Sequence, residues 1–195
     1  MRSGQSIIGL IISFFLALVA GTTSPGTVHA DWTGNINVSL GSKALEEDDW
    51  SPVESQSEFA VEADFRERPW PLNMVIGLRG AYAEEDLGGL KVESATSELS
   101  LGVRKIWDSF PHVRPFVGGG LSLISAEIKG STVFGSASLS DSAPGIWLGG
   151  GVYWALTPHF NLGFDLRFSS ATVTLGGIDG EAGGGHFGVL LGYHY

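Results

Sequence analysis

The residues best suited to chemistry in this 195-residue chain are charged groups that alternate with apolar neighbours. Glu58, Glu62, Asp64, Glu98 and Asp165 carry carboxylates, and Arg79, Arg104 and Arg167 carry guanidinium groups. Each lies in a segment of period-two hydrophobicity, so all of them share one face parity. Carboxylates and arginines on one enclosed face form paired networks, because an unpaired buried charge is costly and the planar guanidinium fork matches a carboxylate. Such a network either fills an interior or lines a polar solute path that gates by exchanging partners. If Phe65 faces Leu72 across the first short turn, Arg79 falls opposite Glu58, with Glu98 and Glu62 as the next partners. Three arginines then meet five carboxylates. The surplus acids are expected near water at the strand ends, Glu58 and Glu98 beside long loops and Asp64 beside a short turn.

A second constellation is acidic throughout: Glu46, Glu47, Asp48, Asp49 and Glu54 in one stretch, then Glu84, Glu85, Asp86 and Glu93 in the next. Clustered carboxylates suit hard divalent cations, but the spacing fits no EF-hand loop, and solvated acidic loops are the plainer expectation. No metal site and no cofactor is assigned. The chain has no Cys, which removes disulfides, thiolate metal sites and cysteine nucleophiles. Gly118–Gly120 and Gly149–Gly151 sit inside strand patterns rather than before a helix, so they fail the context test for a dinucleotide site. A formal net charge of −10 argues against nucleic acid. His112 and His159 fall in short turns, and His186 and His194 share the parity of the charged face. An acyl-transfer enzyme would need a Ser beside a His oriented by an acid on the apolar face; no such outward pair is visible.

The elements that would position these groups are strands. Alternation recurs over residues 35–40, 58–65, 72–79, 98–104, 116–123, 146–154, 161–168 and 187–195. That makes about eight strands, each near the 9–11 residues of a tilted membrane-crossing strand. Their connections alternate in length. Arg66–Pro71, Asp108–His112 and Thr157–Phe160 are short and contain Pro; 44–57, 83–97, 126–144 and 169–185 are long and polar. Short turns at one end and long loops at the other describe an all-β, transmembrane up-and-down antiparallel barrel. Residues 1–30 read as a secretory signal peptide, with Arg2, an apolar Ile7–Ala20 run and a small-residue ending at Ala30; the barrel would occupy residues 31–195.

The apolar face is expected to point outward. The polar face is rich in Gly, Ser and Ala and poor in Lys, which suits a narrow interior better than a wetted surface. Trp70, Trp107, Phe110, Trp154 and Phe160 sit in or beside the short turns, and Tyr193 and Tyr195 end the last strand, as an interfacial aromatic girdle would.

Arg114-Pro115-Phe116-Val117-Gly118-Gly119-Gly120-Leu121, the Gly-rich stretch Leu148–Tyr153 and Gly192-Tyr193-His194-Tyr195 resemble the small eight-stranded barrels of the OmpA/OmpX and opacity type found in Gram-negative outer membranes. The resemblance implies export to that membrane, contact with its lipid and lipopolysaccharide, and reading of the aromatic last strand by the barrel-assembly machinery. Its members include structural barrels, adhesins, narrow solute channels and lipid A-modifying enzymes. The expected role is structural or surface-interacting and not catalytic, with a porin-like narrow channel as the first alternative and a lipid A-modifying enzyme as the second. Ordered, exposed loop apolars such as Val133 and Phe134 would mark an adhesin.

Overall fold

The computed structural model describes residues 32–108, 110 and 112–195; the signal peptide expected over 1–30 lies outside them. The chain forms β1 (Trp32–Ala44), a single turn of helix α1 (Glu47–Trp50), β2 (Ser55–Glu67), β3 (Asn73–Asp86), β4 (Lys91–Ile106), β5 (Val113–Thr132), β6 (Gly135–Ala155), β7 (Phe160–Ser170), β8 (Thr172–Leu175), β9 (Ile178–Glu181) and β10 (Gly184–His194). Eight of the strands close a barrel in the order β1-β10-β7-β6-β5-β4-β3-β2, and β8 and β9 form a separate hairpin. Each barrel strand runs antiparallel to its neighbours. Closure leaves no edge along the shared wall, which is how antiparallel sheets remove unpaired backbone groups.

Two expectations are corrected by the ladders. The barrel strands run from 11 to 21 residues, not 9–11. Stretches expected as loops are strand: β3 pairs β4 out to Asp86↔Lys91, and β5 pairs β6 out to Thr132↔Gly135. Above the barrel one face of these strands is charged or hydroxylic and the other keeps only scattered apolar residues, so the period-two hydrophobic signal fades while the backbone goes on pairing. The last long stretch, 169–185, contains the β8–β9 hairpin, whose turn uses Gly176 and Gly177 at φ 63° and 90°, a region that glycine enters without steric cost.

The first hairpin register is also corrected. Phe65 pairs Met74, not Leu72, so Arg79 stands opposite Ala60 and Glu58 opposite Ala81. Pro71 has no N–H to give a ladder, and pairing with β2 resumes only at Met74, while the side-chain amide of Asn73 reaches inward to Asp64. The shift is two residues, an even number, and therefore keeps every side chain on its expected face.

The outward face is apolar and bare: Leu40, Leu101, Leu121, Ile146, Leu148 and Phe168 are all more than half exposed. The interior is packed. Gly102 and Gly151 make room for rings, since a Cβ on Gly102 would lie 2.6 Å from Trp147 Cζ2 and one on Gly151 would lie 2.7 Å from Phe116 Cζ. At the long-loop end Leu45, Trp50, Ile124, Ala126, Ala143, Ala171, Val173 and Ala182 form a buried apolar cluster. It caps the lumen, and Trp50 Nε1 donates to Glu181 O at 2.7 Å to fix the cap.

Candidate functional site: a charged lumen beneath an apolar cap

The charged groups named from parity all point inward and are buried or nearly so. From the short-turn end upward, Asp64 accepts from Asn35 Nδ2 at 3.0 Å and Asn73 Nδ2 at 2.5 Å, and Arg104 Nη1 lies 3.4 Å away. Arg104 Nη2 pairs with Glu62 Oε1 at 2.5 Å, and Nη1 donates to the Tyr153 hydroxyl at 2.7 Å. Arg79 holds Glu58 Oε1 through Nη1 and Asp165 Oδ2 through Nη2, both at 2.9 Å, with Glu62 Oε2 3.9 Å away. Arg167 pairs with Glu98 and lies 3.7 Å from Glu62. Two guanidinium groups also lie over rings, Arg104 on Phe116 at 4.3 Å and Arg167 on Trp147 at 4.1 Å.

Arg79 and Glu58 thus meet despite the two-residue difference in register. They are diagonal rather than opposite neighbours, and a long side chain spans the offset. Glu98 is the register partner of Arg79 but is taken by Arg167. Asp165 reaches Arg79 across the lumen from β7. The surplus acids are not near water: Glu58 is 5%, Glu98 3% and Asp64 0% exposed. The cap excludes solvent, and cross-lumen arginines, His186 and neutral donors hold the carboxylates instead, leaving Glu98 Oε2 without a hydrogen-bond partner.

Lys43 belongs to the same interior, although the sequence pattern does not single it out. It is 2% exposed and donates from Nζ to Thr96 Oγ1 at 3.1 Å and Ala182 O at 2.8 Å, just under the cap. The alternation Asn35, Asn37, Ser39 reaches it when continued through Gly41. Gln56, Ser94 and Thr96 surround it with neutral polar groups and complete this upper layer.

His186 sits between layers. Its Nδ1 lies 2.5 Å from Glu58 Oε2, and its Nε2 lies 3.0 Å from Ser169 Oγ. This Ser-His-carboxylate order resembles that of an activated nucleophile, but it faces the lumen rather than the outside. Ser169 is 8% exposed, and Glu58 is shared with Arg79. The arrangement supplies a partner to both ring nitrogens of a buried histidine. Below the network, at the short-turn end, a cavity of about 30 Å³ remains among Asn35, Asn73, Tyr153, Asn161 and His194, room for about one water molecule.

The girdle candidates Trp70, Trp107, Trp154, Phe160, Tyr193 and Tyr195 are each between 38% and 50% exposed. Trp32 joins them, with its ring centroid 5.9 Å from Phe65 and 6.1 Å from Trp70. Tyr193 packs between Phe160 and His159. At the opposite end the acidic residues serve as backbone caps and ion pairs. Asp49 accepts from Glu181 N and Asp141 from Thr174 N; the Thr174 and Ser142 backbone N–H groups hold the Asp141 carboxyl below its ordinary range. Among the described residues, no three histidine or carboxylate groups converge as metal ligands.

No family model and no curated protein sequence matches this chain. Solved structures do. The chain is similar to Ail, the attachment invasion locus protein of Yersinia pestis, solved with the heparin analogue sucrose octasulfate, at TM-score 0.61 and 14% identity over 84% of this chain and 99% of that one. It is similar to a major outer membrane protein from Thermus thermophilus at TM-score 0.60 and 13% identity over 85% and 100%. It is similar to Neisserial surface protein A at TM-score 0.57 and 14% identity over 84% and 97%. A closed eight-stranded antiparallel barrel, bare and apolar outside and charged within, shares with these structures the fold of the small outer-membrane β-barrels.

Proposed function

We propose that the chain is a bacterial outer-membrane barrel with a surface-interaction role, not catalytic and not conducting. In this reading the apolar outward residues contact lipid, and the rings at the short-turn end mark the periplasmic interface. The long-loop end then faces the lipopolysaccharide surface, and the assembly machinery reads the outward residues of β10, Phe187 to Tyr193.

One observation carries the interaction role. Strands β5 and β6 continue as a paired ladder well past the cap and turn through Val133 and Phe134, which are 90% and 98% exposed. Exposed apolar residues on an ordered, protruding hairpin suit contact with a partner. The filled lumen supports the same reading against the channel, because Arg79, Arg104, Arg167, Trp147 and the cap occupy the axis that a solute would need. The sulfated sugar bound by the Ail structure does not transfer, since the long-loop end here is acidic.

Three measurements test this. An impermeant maleimide should label Ser140→Cys on intact cells and spare Thr157→Cys. The purified protein should give no stepwise conductance in planar bilayers; regular steps would favour the channel. Display on a non-adherent bacterium should raise retention on protein-coated surfaces, and Val133→Ser with Phe134→Ser should remove the gain. Retention that never rises would overturn the interaction role.

A further inference from the structure

The sheet above the cap has two unlike faces. Residues that continue the outward parity are charged or hydroxylic: Glu93, Glu127, Lys129 and Ser140. Residues that continue the lumen parity include the apolar Val92, Ile128 and Leu139, with Ile128 and Leu139 as direct register partners; Asp141 shares this parity beside Leu139 and accepts from Thr174 N. Within the barrel this parity is covered, and Ile124 is 0% and Ala126 2% exposed. Above the cap the cover thins: Ile128 and Leu175 pack against the cap cluster and stay only partly buried, as does Val92. The β8–β9 hairpin leans on this face, bringing Gly176 beside Leu139 Cδ1, and it adds its own register pair Leu175 and Ile178. Leu139 remains 49% and Ile178 76% exposed. Leu90 lies beside Gly130 at the far side and is 39% exposed.

Charge identifies the occupant. Helix α1 lifts Glu46, Glu47 and Asp48 into solvent over the cap, and the β3–β4 tip carries exposed Glu85 and Asp86. Apart from Lys43, buried beneath the cap, the cations at this end among the described residues are Lys91 and Lys129. Both sit on the outer parity and are already ion-paired, Lys91 with Glu84 and Glu93, Lys129 with Glu93. The inner apolar face is therefore bordered by carboxylates with no cation of its own. A second copy of this chain, or an anionic lipid surface, would meet like charge, which costs affinity.

We infer that this inner face, built from Leu90, Val92, Ile128, Leu139, Leu175 and Ile178, docks a cationic amphipathic peptide segment. The segment's apolar side would cover the leucines and isoleucines, and its lysines or arginines would meet the acidic border, as in the general mode of an amphipathic element laid against an apolar surface. The inference rests on the surface-interaction reading and names the partner's chemistry. It places the contact on the inner face and not on the Val133–Phe134 tip.

The test uses the barrel in nanodiscs of uncharged phosphatidylcholine and three synthetic peptides. One is a helical Leu/Lys peptide with segregated faces, one has the same composition scrambled, and one has Glu in place of Lys. The segregated cationic peptide should bind saturably and weaken when salt is raised from about 0.1 to about 0.5 M, because exposed charge pairs are screened. Leu139→Asn with Ile178→Asn should weaken it about tenfold, the cost of roughly 1.4 kcal/mol. Val133→Ser with Phe134→Ser should leave it unchanged. Equal binding of the scrambled peptide, or no response to the Leu139 and Ile178 changes, would overturn the docking face; so would the absence of binding. Loss of cell retention in the tip variant with unchanged peptide binding would keep both readings. Retention without peptide binding would remove this inference and leave the surface role standing.

Discussion

Arg79 and Lys129 are both strand cations paired with carboxylates, yet they sit in opposite electrostatic worlds. Arg79 is 8% exposed and meets Glu58 and Asp165 at 2.9 Å inside the barrel. Lys129 meets Glu93 at 3.0 Å with its side chain 43% exposed. Inside, no solvent can replace a lost partner, so removing one charge strands another in a poorly polarisable space. Outside, water and salt compete for each ion, and the pair contributes little. The same residue chemistry therefore acts as internal scaffold in one place and as a solvated surface in the other.

That contrast has measurable consequences. Arg79→Met should destabilise the barrel by about 3–5 kcal/mol in urea unfolding. Adding Glu58→Gln or Asp165→Asn should each return part of the loss, and a double-mutant cycle measures the return. Zero coupling to both acids would mean that the lumen is hydrated enough to screen them.

The cap makes a second test, because it keeps water from the top of the network. Trp50→Ala should cost about 3–4 kcal/mol, as truncation of a buried indole usually does. It should also raise hydrogen exchange at Ala171 and Ala182, which lie in the same cluster. Unchanged exchange there would separate the cap from the network beneath it.

On the outward face, Leu101→Arg should cost about 2–4 kcal/mol in a bilayer if Leu101 lies near the midplane. In a short-chain detergent, where the charge reaches water easily, the cost should shrink. Equal costs in both media would count against a lipid-facing Leu101.

The smallest effect belongs to the exposed cluster. Lys129 above all, with Lys91, holds the Glu93 carboxyl below its ordinary range against an opposing effect of burial. A depressed carboxyl stabilises the folded hairpin above the ordinary glutamate range. That contribution is lost as pH falls through the lower, folded-state value. Local hydrogen exchange along 84–93 should therefore rise at acid pH, and Lys129→Met or high salt should shrink the pH response. A response as large as that of the lumen variants would erase the difference between the two regions.

Much of this architecture is legible in the order of residues. Which side chains face inward is a local property, because successive side chains on a strand alternate faces whatever the strand pairs with. Hence alternation assigns Glu58, Glu62, Asp64, Arg79, Glu98, Arg104, Asp165 and Arg167 to one face, and that assignment tolerates a register two residues out. The alternating short and long connections likewise imply an up-and-down order. Where the apolar half of the alternation is reduced to scattered residues, at 83–97 and 126–144, strand cannot be told from loop, since backbone pairing leaves no mark on side-chain pattern.

Partnership is a different matter. Arg79 finds Asp165 from β7, 86 positions away and across the lumen rather than on an adjacent strand. That contact depends on the width of a barrel closed by eight strands and on how far each is staggered against the next, quantities that belong to the closed sheet and to no segment of it. The burial of Glu58 and Glu98 depends in turn on a cap assembled from the residue after β1, α1, β5, β6, β8 with the residue before it, and the residue after β9. Alternation along the chain assigns faces because it is set by neighbouring residues; distances and partners are set by closure, which only the folded barrel possesses.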